Sequence, residues 1–193
     1  MMKMNPTLIR KLFYFFCLLG VACLVFALAG ITYATVENVE PNVLIRINGE
    51  GEVTCSGNPF GGELWYPGRE EHGIIRVSSE IGARLSSLGF DISLKQYQPL
   101  YSRDTVYQSF LDHMKLTVKK GSFLVFTSTL LDKASLSSIV VNDGIFLDTS
   151  DQIRLPLGES IDLQYTLKMD EESGEELEDV TASVAFKINL EQN

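Results

Sequence analysis

Residues 161–169 alternate without a break. Ile161, Leu163, Tyr165, Leu167 and Met169 are apolar, and Asp162, Gln164, Thr166 and Lys168 between them are polar. Successive side chains of a strand point to opposite faces, so this pattern suits a ribbon with one dry and one wet face; helical apolar positions recur every three to four residues. The alternation returns in Phe90, Ile92 and Leu94 against Asp91, Ser93 and Lys95, and in Met114, Leu116 and Val118 against Lys115, Thr117 and Lys119. It runs again through Val180, Ala182, Val184, Phe186, Ile188 and Leu190. One-sided strands favour antiparallel sheets.

Turn chemistry falls between these runs. Asn48-Gly49, Tyr66-Pro67-Gly68, Lys120-Gly121 and Asn142-Asp143-Gly144 tolerate positive φ or preset a turn, which predicts hairpins and short connections. One segment breaks the period of two. In Ser102–His113, Val106 and Phe110, and Tyr107 and Leu111, are four apart, and Ser102 is a natural N-cap, so a short helix is expected there. A second helical turn is expected at Ala134–Ser138. The expected body is therefore a mainly β, antiparallel sandwich with one or two short helices, occupying residues 35–193 as a single domain.

The first 34 residues have a different character. Lys3, Arg10 and Lys11 precede an apolar run from Leu12 to Ile31, followed by Thr32-Tyr33-Ala34. That order matches a signal peptide, and cleavage after Ala34 is the simplest expectation. The run is also long enough for an apolar membrane helix, so a retained transmembrane anchor through residues 12–31 is the alternative. Under either reading the positive flank stays inside and residues 35–193 work outside the cytoplasm. Cys17 and Cys23 are apolar members of this segment, which leaves Cys55 alone in the exported part. A single thiol makes no internal disulfide. It is expected to be buried or merely tolerated, with intermolecular pairing as the less favoured reading.

All 25 acidic residues follow Ala34, whereas three of the 16 Lys and Arg residues precede it, so the exported part is more acidic than the formal charge of −9 of the whole chain. Such a surface disfavours nucleic acid, whose phosphates demand clustered cations.

Candidate chemistry is sparse. His72 follows Glu70 and Glu71, but a zinc-protease helix needs two histidines four apart, and the other histidine is the distant His113. Both histidines are expected at the surface. Met169–Asp179 is dense in carboxylates without the spacing of a calcium loop, so a solvated loop is expected there, with weak calcium capture as the alternative. Asp143, Asp148 and Asp151 read as turn formers. No Gly-x-Ser-x-Gly elbow or phosphate-cradling glycine loop is present. Catalytic, cofactor-binding and metal residues are accordingly expected to be none, and an enzyme is not expected.

Several segments taken in order resemble the TasA/camelysin family of exported bacterial matrix proteins. They are Phe110–Val118 with the hairpin ending Ser128-Thr129-Leu130-Leu131, the stretch Ile153–Ile161, Val184–Gln192, and the signal ending Gly30-Ile31-Thr32-Tyr33-Ala34. The resemblance implies a jelly-roll-like sandwich at the cell surface or in the extracellular matrix, a fibre-forming biofilm subunit that self-associates or joins other matrix subunits by strand addition. It also implies a signal peptidase as processing partner. Val43, Ile45 and Ile47 lie where such a donated strand would be, although an ordinary first strand of the chain's own sheet is the favoured reading. A membrane-tethered binding module with an acidic, cation-binding face is the second expectation. A camelysin-type metalloprotease ranks last, since no ligand motif supports it.

Overall fold

The computed structural model describes residues 40–121, 128–148 and 153–192. The expected N-terminal hydrophobic helix, Cys17, Cys23 and Asp151 lie outside the described residues. The chain divides into Met1–Glu40 and Pro41–Asn193, and every element below belongs to the second unit.

Among the described residues, ten strands and two helices follow in order: β1 (Val43–Ile47), β2 (Val53–Gly57), β3 (Glu70–Ser79), β4 (Ala83–Gln96), α1 (Arg103–His113), β5 (Met114–Lys120), β6 (Ser128–Ser135), α2 (Leu136–Val141), β7 (Ile145–Asp148), β8 (Arg154–Leu155), β9 (Ser160–Met169) and β10 (Thr181–Gln192). One sheet has the order β2-β1-β3-β9-β5-β6 and the other β10-β4-β7, with β8 also paired to β4. The fold is mainly β, and neither sheet closes on itself.

All pairs are antiparallel except β1 with β3, which run parallel in the register Val43↔Ile75 to Ile47↔Ser79. This corrects the purely antiparallel expectation. The hairpin β1–β2 enters the sheet through β1, and the connection from β2 to β3 is long enough, Asn58–Arg69, to bring the chain back in the same direction.

The alternating segments fold as their pattern dictates. In β9, Leu163, Tyr165, Leu167 and Met169 are buried; across the ladders they meet Met114, Leu116 and Val118 of β5 on one side and Ile75 of β3 on the other, where Val77 stands opposite Ile161. Phe90, Ile92 and Leu94 of β4 join the same core, which draws on both sheets and both helices. Each fully buried large side chain among these contributes about 1.5–3 kcal/mol. The inward row of β10 departs from expectation: only Val180 and Ala182 are fully buried, while Val184, Phe186, Ile188 and Leu190 are covered in part. β10 is an edge strand, so no neighbour among the described residues shields its far side.

Helix α1 starts where its cap predicts, with the Ser102 hydroxyl accepting from the Thr105 N–H at 3.2 Å. Its apolar stripe of Val106, Phe110 and Leu111 faces the core. Helix α2 begins two residues later than expected, at Leu136, because Ser135 rather than an earlier residue caps it. The turn at Asn142-Asp143-Gly144 joins α2 to β7 instead of closing a hairpin, with Asp143 and Gly144 at φ of 54° and 77°. Asp148 is the last residue of β7, not a turn former.

Candidate functional site

The two histidines are held apart by the sheet that carries them. His72 projects from the outer face of β3, with Nδ1 3.0 Å from Thr166 Oγ1 and Nε2 3.3 Å from Glu70 Oε1. Glu71, next in the strand, turns to the opposite face, where Arg69 Nη2 reaches it at 3.3 Å. His113 ends α1, its Nδ1 3.8 Å from Asp170 Oδ2, a carboxylate that it shares with Lys115 Nζ at 3.5 Å. His72 stands opposite Thr166 within β9, whereas His113 meets the chain just past the end of that strand. His72 is 69% exposed, as expected of a surface residue, and His113 is 36% exposed; among the described residues nothing assembles them into one centre.

The acidic run is more ordered than a solvated loop. The Ser173 hydroxyl donates to the Asp170 carbonyl at 2.8 Å, a 3-10 turn covers Glu175–Leu177, and Leu177 is fully buried in the core. Ser109 of α1 donates to Glu176 Oε1 at 2.6 Å, and this bond holds the Glu176 carboxyl below the usual range. The run thus closes over the C-terminal part of α1. The adjoining depression, about 430 Å³, is lined by His113, Lys168, Asp170, Glu171 and Glu172. Its carboxylates are balanced by Lys115 and Lys168, the latter 3.6 Å from Glu171. Among the described residues no group of three or more His, Cys, Asp or Glu side chains is placed to hold a metal ion.

Cys55 is exposed on β2, so of the two expected readings, a buried thiol or a merely tolerated one, the buried thiol is corrected. Its backbone sits at a sheet edge, where no further strand among the described residues covers it. Partial desolvation pushes its pKa up.

A cluster the sequence reading passed over lies between β2 and β3. Arg69 donates to the Leu64 carbonyl at 2.6 Å, pairs with Glu63 at 2.9 Å, and lies 5.3 Å from the ring centre of Trp65. Trp65 Nε1–H donates to the Phe60 carbonyl at 2.9 Å, and the two rings meet edge to face. Trp65 then bridges to Val180, while Asn58 Nδ2 donates to the Ala182 carbonyl at 2.9 Å. The segment therefore straps the first sheet to the start of β10. The available signal was the single tryptophan beside Tyr66-Pro67-Gly68. The geometry is that of a brace, not a reaction centre.

No known protein family matches this chain, and no curated protein matches it.

Proposed function

We propose that the chain is an exported structural protein of the cell surface or extracellular matrix, built as a β-sandwich of jelly-roll type. The observation that carries this reading is the pair of open sheets over one apolar core, whose edge strand β2 leaves backbone groups for other chains. The resemblance to the TasA/camelysin family and the basic-then-apolar N-terminal segment support the same reading. β1 lies inside its own sheet, so strand addition on this reading uses an edge of the folded body and not the release of Val43–Ile47.

Electron microscopy of extracellular material from cells with and without the gene tests this. The proposal expects filaments or a surface layer that binds antibody to this protein and is lost on deletion. Antibody confined to the cytoplasm, with the surface unchanged, would overturn it.

A further inference from the structure

The edges of the two sheets are not equally protected. β6 carries Asp132 and Lys133, the latter at a φ of 46°, and its pairing with β5 is interrupted by two register shifts. β7 is four residues long. β10 is bridged by Trp65 at its start and carries Lys187 and Glu191. β2 is the least guarded: Val53-Thr54-Cys55-Ser56-Gly57 holds no charge and no proline, its pairing with β1 is unbroken, all five residues are exposed, and only the last, Gly57, has a positive φ, of 96°. Such an edge is a template for another strand.

The hairpin fixes which backbone groups are free. Asn48 N–H donates to Glu52 O and Gly51 N–H donates to Asn48 O, both at 3.0 Å, so Asn48/Glu52 is the closing hydrogen-bonded pair. Hydrogen-bonded and non-hydrogen-bonded pairs alternate in an antiparallel ladder, which makes Ile47/Val53, Ile45/Cys55 and Val43/Gly57 the non-bonded ones. The Ile47 carbonyl agrees, since it turns away from β2 to accept from Glu80 N–H at 2.9 Å. The N–H and C=O groups of Val53 and Cys55 therefore point outward from the sheet, while Gly57, at a φ of 96°, leaves the regular strand geometry.

We propose that β2 pairs antiparallel with β2 of a second copy across a two-fold axis at Cys55. The second copy is the favoured occupant because the strand is its own complement. Centring on Cys55 sets Val53 against Gly57 of the other copy and Thr54 against its Ser56, and the two Cys55 residues exchange both of their backbone bonds across the axis. The flanking Glu52 falls opposite the other copy's Asn58, so two strongly acidic bodies meet without facing carboxylates. A two-fold contact of this kind joins the six-stranded sheets of two copies into one. The inference deepens the proposed function and rests on it for the purpose that the pairing serves.

The test is sedimentation equilibrium of the full-length chain in detergent, under reducing conditions, for wild type, Cys55→Ser, Cys55→Pro and Cys55→Lys. Proline at position 55 removes an N–H that points away from β1, so it blocks pairing and spares the chain's own ladder. Lysine keeps the N–H but sets two cations face to face across the axis, and it keeps the test open if the proline variant misfolds. Wild type and Cys55→Ser should dimerise equally, and Cys55→Pro and Cys55→Lys should weaken the dimer at least about tenfold, with circular dichroism unchanged. Equal association constants in all four, or a wild type that stays monomeric at the highest concentration reached, would overturn the pairing. Either result leaves the electron-microscopy readout of the proposed function free to succeed or fail separately.

Discussion

Gly73 stands directly opposite Tyr165 in the β3–β9 ladder, and the Tyr165 phenol fills the space into which a side chain at position 73 would project. The carboxamide oxygen of Asn42 crowds the same space while it accepts from the Ile74 N–H at 3.0 Å. Glycine here serves packing, since it lets a large ring lie flat across a strand. Gly73→Ala should destabilise the body by about 1–3 kcal/mol, read as a lower urea midpoint with an unchanged slope.

The same ring sets a pH limit. The Tyr165 hydroxyl is buried without a hydrogen-bond partner, and burial first, then the Glu71 charge, pushes its pKa well above the ordinary 10.0. In the unfolded chain the phenol ionises from about pH 10, while in the fold it stays neutral. Its contribution is therefore fully present below pH 10 and is lost as pH rises from there towards the raised folded value. Tyr165→Phe should equal or exceed wild type at neutral pH, because removing an unsatisfied buried hydroxyl relieves a cost of about 1–3 kcal/mol. It should also lose less stability than wild type between pH 9 and pH 11. Urea titrations across that range check both expectations.

On the outer face, Arg76 and Asp162 form a cross-strand pair with two bonds of 2.7 Å. Both side chains are about one-third exposed, so solvent screens much of the attraction. A double-mutant cycle with Arg76→Ala and Asp162→Ala should give a coupling of about 0.5–1 kcal/mol that shrinks as salt is raised.

Helix α1 depends on its cap. The Ser102 hydroxyl accepts from Thr105 N–H, and Phe110 and Leu111 bury the helix against the core. Ser102→Ala should cost about 1 kcal/mol, and Ser102→Asp should restore most of it because a carboxylate also suits the helix N-terminus. Thermal melts of the two variants decide this.

How much of this was legible in the sequence depended on what each segment packs against. β5, β9 and the second half of β4 each bury one face against the shared core, so their period of two survives intact in residues 90–95, 114–119 and 161–169. β3 was hidden because Gly73 interrupts its inward row and Ile74 sits on the outer side, a pattern that makes sense only once Tyr165 is known to lie across it. The parallel partnership of β1 with β3 is a matter of topology, which local periodicity does not encode. In the acidic run the density of carboxylates masked Leu177, the residue that anchors it. The exposure of Cys55 was illegible for a related reason: alternation tells which face a residue is on, and β2 lies at the sheet's edge.

The proposed export of the β-rich body is tested by protease shaving of intact cells with peptide mass spectrometry. Peptides from residues 40–192 should appear in the medium or be released from intact cells by added protease. Their appearance only after lysis would contradict it.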